Sequence, residues 1–326
     1  MKTSMLRCDR ALVVLSTVCF LAGCAFDAQE LPEDNTDVQS SPVTQNGASL
    51  NGASLNGASL NGASLNGASL NGASLNGASL NGASLNGVAL QGSNLTSVTS
   101  KGTVLSGSQL IGAEFTTTLA DGRTVLLQIE DHEAESTKYP NDKIHRYVVK
   151  FTLPDETNEW AYVCGTQDGE PLRAIPLRGT WNHGEGVPGG GSKINDPTAI
   201  TFACEHYALY KCVELGYEPW IGVSKKLNLG NHHQACTRMI RADYCGDGQS
   251  WTVNGTLVNV YDALGIQKDT ENWDIEAEWN TNGATCLSHQ RIQDLDTVPS
   301  CSFWKSPTTC GTKVKWSKTL LVSEAL

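Results

Sequence analysis

NGASLNGASLNGASL, residues 46–60, opens a run of eight identical five-residue units that ends at Leu85. The period then loosens through NGVAL, QGSNL, TSVTS, KGTVL, SGSQL and IGAEF to Phe115, and every unit except TSVTS closes on Leu or Phe. A small residue or Val stands two places before that closing position. With strand-like alternation, both side chains of a unit point to the same side of the chain. Gly in nearly every unit works against order, because it raises the entropy lost on folding. Gly recurs every five residues rather than every three, which excludes collagen. No Asp lies between Asn46 and Ser100, which argues against a calcium-binding β-roll.

This pattern resembles the pentapeptide repeats, whose units place a small residue two before a central Leu or Phe. The resemblance implies a right-handed quadrilateral β-helix over residues 46–115, one unit per side and four per coil. The alternative is a flexible spacer, which identical tandem copies also serve. Some members of that family mimic DNA through acidic outer faces. Here no charged residue occurs between Asn46 and Ser100, so that activity does not carry over. A stalk or spacer is the preferred role, and an adhesive or self-associating surface is the other.

The chain begins with Lys2, Arg7 and Arg10 around the apolar run Ala11–Ala22, which is too short to span a bilayer stably. The run ends in LAGC, Leu21 to Cys24, which resembles the lipobox of bacterial lipoproteins. That resemblance implies a signal peptide over residues 1–23 and lipidation of Cys24, with the membrane as partner through the lipid. Ala25 rather than Asp follows Cys24, which favours the outer membrane. Residues 24–45 hold five acids, no base and two prolines, and read as a disordered tether. The whole chain carries 23 Lys and Arg against 34 Asp and Glu, a net charge of −11. An acidic chain without a basic patch is a poor partner for nucleic acid.

Of 11 cysteines, Cys8 and Cys19 lie in the signal and Cys24 is the lipid site. The other eight are Cys164, Cys204, Cys212, Cys236, Cys245, Cys286, Cys301 and Cys310, an even set that reads as a disulfide framework in an exported chain. Cys204 and Cys212 are too far apart to pair if they share a helix, and Cys301 and Cys310 flank a loop across which they can pair locally. Residues 116–326 read as one α+β domain. Strands are expected at AEFTTTL, RTVLLQIE, His145–Leu153 and Glu159–Gly165, and helices over Thr198–Leu215 and from an Asn231 N-cap to Ala242. Asn254-Gly255 is a hairpin signal between SWTV and TLVNVYD.

RADYCGDG (Arg241–Gly248), with Phe202–Trp220, His232–Ile240 and Glu276–Leu287, resembles the ADYC domain over about residues 198–291. That family is associated with exported, often lipid-anchored proteins and supplies no catalytic residues. Three constellations nearby are candidates for chemistry. Asp243 and Asp247 offer calcium ligands, against the plainer reading of turn hydrogen bonds. Glu276 and Glu278 alternate on one face of Trp273–Trp279 at a spacing that general acid/base pairs use, against a solvated outer face over a Trp-lined core. His232, His233 and Cys236, with His206 as a further ligand, form a possible metal edge, against a disulfide at Cys236. The plainer reading is preferred in each case. No metal or cofactor is invoked, and an envelope binding or structural protein is favoured over an extracytoplasmic hydrolase.

Overall fold

A computed structural model describes residues 48–49, 87–118, 124–154, 159–182, 189–224, 227–253, 255–292, 301 and 307–325. The signal, Cys24, the tether, nearly all of the identical units and the Asp121-Gly122 turn lie outside the described residues.

The looser repeat units form an antiparallel meander: β1 (Val88–Gln91), β2 (Asn94–Val98) and β3 (Val104–Ser106). This corrects the β-helix expectation for these units, since a coil would stack its sides in parallel. The cause is local. Gln91 pairs with Asn94, leaving Gly92-Ser93 as a two-residue turn with Gly92 at φ +63°, and glycine at the first turn position reverses the chain. The inward role of the closing residues survives the change. Leu90, Leu95, Leu110 and Phe115 are all buried, while Ser100, the exception in the pattern, sits in a turn.

The meander packs on a sheet built from β4 (Glu114–Thr118), β5 (Thr124–Ser136), β6 (Lys143–Thr152), β7 (Ala174–Arg178) and β8 (Ile200–Cys204), in the order β8-β7-β6-β5-β4. Every pairing along it is antiparallel. Alternation explains the packing: Val125, Leu127 and Ile129 of β5 and Tyr147, Val149 and Phe151 of β6 bury against the leucines of the meander. The Tyr147 hydroxyl accepts the Leu95 N–H at 3.0 Å, tying the last repeat units into this core.

Helices α1 (Ala208–Glu214) and α2 (Gly230–Ile240) share a second core with Ile175 and Leu177 of β7. Val258, Val260, Ala277, Trp279 and Leu321 join that core from a sheet of β9 (Leu257–Asp262), β10 (Asp274–Asn280), β11 (Gly283–Leu287) and β12 (Leu321–Ala325), in the order β9-β12-β10-β11. Ala48–Ser49 pairs with the outer edge of β9.

Several expectations change. The helix over Thr198–Leu215 is strand β8 followed by α1, with His206 at φ +72° between them. Ile200–Cys204 is buried throughout, Thr201 included, and a run buried on both faces carries no period to tell strand from helix. Helix α2 starts at Gly230, and Asn231 is inside it. Residues 251–253 form no strand, so the Asn254-Gly255 hairpin does not arise, although β9 follows it. Glu159–Gly165 contributes only the two-residue strand Ala161–Tyr162.

All eight head cysteines are paired: Cys164–Cys204, Cys212–Cys236, Cys245–Cys301 and Cys286–Cys310. The local Cys301–Cys310 bridge is therefore corrected: Cys301 reaches back to Cys245 after α2, and Cys310 to Cys286 in β11. Four disulfides indicate an oxidising, extracytoplasmic compartment. Among the described residues, no helix is long and apolar enough to cross a membrane.

Candidate functional site

Helix α2 ends in a left-handed residue, and that residue is Ala242 at φ +50°. The Ala242 N–H donates to Met239 O at 2.9 Å and the Asp243 N–H to Arg238 O at 2.9 Å, the two bonds of a Schellman stop. Alanine rather than glycine stands there because its methyl group is buried in the core. The residues that follow are fasteners. Asp243 is fully buried; its Oδ2 pairs with the Arg238 guanidinium and accepts Gly248 N–H at 3.0 Å, and its Oδ1 accepts Asp247 N–H at 3.1 Å. Burial pushes the Asp243 carboxyl up, and the Arg238 and Arg241 charges oppose that. The Tyr244 hydroxyl donates to Glu276 Oε1 at 2.6 Å and accepts Arg291 N–H at 2.9 Å, while its ring stacks on Trp279 at 5.4 Å. Cys245 closes the set with its bridge to Cys301.

The sequence candidates fall inside this scaffold. Glu276 and Glu278, expected on a solvated face, are both buried. The expectation fails because the C-terminal segment and Arg291 cover that side of β10. Arg291 grips Glu276 through Nε and Nη2 at 3.0–3.3 Å and also donates to Met239 O and Ile240 O at the end of α2. Glu278 accepts from the Thr319 hydroxyl and from Lys315 N–H. Asp247 accepts Gln249 N–H at 2.9 Å. The Asp243 and Asp247 carboxylates thus make turn bonds.

His232 and His233 are buried in the helix core. His233 bonds Leu209 O at 2.9 Å and meets Trp181 edge-on, and burial pulls it down to about 3. His232 stacks on Tyr217 and is also lowered by burial. Cys236 is bound to Cys212, so it offers no thiolate. His206 is half-buried, and burial lowers it too. Among the described residues, the one trio with metal-like spacing is Glu278, Cys286 and Cys310, and its two sulfurs are already joined to each other.

What the scaffold frames is a cleft of about 680 Å³. Arg238 fastens two of its walls: Nη2 donates to Ser192 Oγ at 2.8 Å, and Nε donates to Thr281 O at 3.3 Å. Asn231 and Gln234 line it from α2, Asn228 from just before that helix, Asn195 and Asp196 from the segment after Ser192, and Trp220 from the segment after α1. The cleft thus sits beside RADYCGDG without using its carboxylates.

A second cavity of about 670 Å³ lies at the β5–β6 turn, lined by Lys138, Asp142, Lys143 and His145 among others. The Asp142 carboxylate accepts the Trp220 indole N–H at 2.9 Å, and Trp220 also lines the first cleft. Glu218, buried nearby, is pushed up to about 8 by burial, then by its hydrogen bond to Asp142 and by that residue's charge. Burial pulls His145 down to about 4, and its Nδ1 lies 2.9 Å from His132 Nε2. Sequence reasoning missed Trp220, Asp142 and Glu218 as a group. The only signal was composition, an acid and a Trp two apart in YEPW, with nothing to connect them to a turn over seventy residues earlier.

Two sheets around a helix pair, stapled by four disulfides and locked at one helix end, define a disulfide-rich α+β head domain. The ADYC domain family matches residues 107–293, more than half of the chain, and the protein belongs to that family. Pentapeptide repeats match residues 46–82 and 83–119. The ADYC match begins well before Thr198, taking in the β4–β8 sheet as well as the helices. No curated protein and no solved structure matches the chain.

Proposed function

We propose that this chain is an exported, lipid-anchored protein of the cell envelope, held through Cys24, whose repeat units are a stalk and whose head binds a ligand in the cleft beside RADYCGDG. The identical units are read as short β-helical or extended spacer, and the acidic segment before them as a tether. One observation carries the binding reading: the charged residues of the motif region are spent on the scaffold, while the cleft they frame presents amides and an aromatic ring. The lipobox-like LAGC carries the anchor, and its single Cys supplies a two-part lipid attachment site. Cys24→Ser is the test. The variant is expected in the soluble extracytoplasmic fraction with its head disulfides intact; a variant that still sediments with membranes and resists high salt overturns the anchor.

A hydrolase reading retains one specific support, the Asp142–Glu218 pair. An acid that stays protonated near neutrality beside a carboxylate is the arrangement used for general acid/base work. That reading predicts a hydrolytic activity removed by Glu218→Gln with the fold preserved.

A further inference from the structure

We infer that the cleft lined by Trp220, Asn195, Asn228, Asn231 and Asn282 is a binding site for a neutral oligosaccharide; this rests on the reading of the head as a binding domain.

The lining sets the chemistry. Among the described residues, no Leu, Ile, Val, Met or Phe lines the cleft, so this lining does not suit an acyl chain or an apolar peptide side chain. Its charged groups already have partners. Arg178 donates to Pro197 O at 2.7 Å and to Leu90 O. The Lys193 ammonium lies 5.2 Å from the Trp181 ring centre, and burial lowers it. Asp196 accepts the Thr198 N–H and hydroxyl at 2.8 and 2.7 Å. A site built for a phosphate or a carboxylate would leave a cation uncommitted, and neither Arg178 nor Lys193 is. What remains is carboxamides: Gln234 is already bonded to the Trp181 indole N–H and to Gly191 O, and Asn228 Oδ1 accepts the Gly230 N–H, which leaves Asn195, Asn231 and Asn282 to donate and accept at once and Asn228 to donate. Vicinal hydroxyls of a sugar make the same double demand.

Trp220 supplies the other half of sugar recognition. Its N–H is held by Asp142, and the backbone of Gly92 lies against the same ring edge: a Cβ on Gly92 would come within 3.3 Å of it. The indole is therefore positioned before any ligand arrives, which cuts the ordering cost of binding. A flat aromatic surface packs the C–H face of a pyranose while its hydroxyls reach the surrounding amides. The volume of about 680 Å³ lies within the range of built small-molecule sites.

The test uses the full chain carrying Cys24→Ser, probed with neutral oligomers of glucose, mannose and N-acetylglucosamine and with acidic oligosaccharides as a comparison series. At least one neutral oligomer is expected to bind. Trp220→Ala should weaken it at least tenfold and Trp220→Phe much less. Asn195→Ala combined with Asn231→Ala, both on exposed positions, should weaken it by about threefold or more without changing thermal stability. Trp316→Ala, at an exposed aromatic that does not line the cleft, should leave binding unchanged. No binding to any neutral oligomer overturns the inference, as does binding that survives both the Trp220→Ala and the double Asn variants, or binding confined to acidic oligosaccharides. Retention of the same protein on isolated envelopes separates the two levels. Retention with no sugar bound removes the ligand class and keeps the binding domain, whereas loss of both removes both.

Discussion

Gly246 shows how much of this domain is decided by single backbone positions. It follows Cys245 at φ +65°, and a Cβ there would lie 1.7 Å from Asn282 O, inside the turn that borders the cleft. Gly246→Ala is therefore expected to abolish soluble, disulfide-intact protein. Gly265 has nearly the same backbone, φ +68°, but nothing within 4 Å of an added Cβ. Gly265→Ala should fold, losing only about 1 kcal/mol for the left-handed conformation. Comparing the two by thermal melting separates close packing from backbone strain. Glu218 makes a different kind of prediction. Its folded pKa of about 8 lies above the ordinary Glu value of 4.5. Between those values the folded chain holds a proton that the unfolded chain has released, so stability falls as pH rises through the window. His145 and His233 are shifted the other way, and their contribution is lost as pH falls below 6.5. The Glu218 slope is therefore read from pH 6.5 to 7.5, because Lys211, pulled down to about 8 by burial, adds a slope of opposite sign above that. Glu218→Gln, which keeps a donor toward Asp142, should flatten the decline in melting temperature over that range, each displaced pK unit being worth about 1.4 kcal/mol. An unchanged slope would show that Glu218 is ionised when folded.

At the scale of elements, the joint between α2 and strand β10 carries the motif. Arg291 binds both Glu276 oxygens and two carbonyls at the end of α2, and neither charged side chain touches water. Removing one partner leaves a buried charge uncompensated. Arg291→Ala is expected to cost about 3–5 kcal/mol, and Tyr244→Phe, which removes a hydroxyl bonded to the Glu276 carboxylate, about 1.5–3 kcal/mol. Denaturant melts that show equal losses would mean the ion pair is not the fastening element. This joint also marks the limit of what sequence discloses. The strand over β10, the helix at α2, the eight bridging cysteines and the resemblance at RADYCGDG were all legible, because period, parity and motif are local. The buried state of Glu276 and Glu278 was not. Alternation places them on one face, and only a segment more than ten residues later decides whether that face meets water or Arg291. The disulfide partners were hidden for the same reason. Cys310 joins Cys286 because of tertiary proximity, and the short spacing to Cys301 carried no information about it.

For the whole molecule, the question is where the repeat ends and the head begins. The five-residue period runs, with TSVTS as its one exception, to Phe115, yet the physical boundary falls earlier. Leu90 and Leu95 are buried against the β4–β8 sheet, the Ser93 hydroxyl bridges Lys143 O and His145 N–H, and Arg178 holds Leu90 O. The last units therefore belong to the head by packing while belonging to the repeat by sequence. Gly92, from one of these units, also backs Trp220 at the cleft, so the repeat reaches the proposed binding site through one turn. Two deletions place the boundary. Removing residues 51–85 takes out seven identical units, spares Ala48–Ser49 with its pairing to β9, and should leave the melting temperature of the head within about a degree of the parent. Extending the deletion to residue 98 strips β1 and β2 from the core and should destabilise it by more than a single Leu95→Ala, itself expected to cost about 2–5 kcal/mol. If the shorter deletion destabilises as much as the longer one, the identical units are part of the head core rather than a stalk of adjustable length.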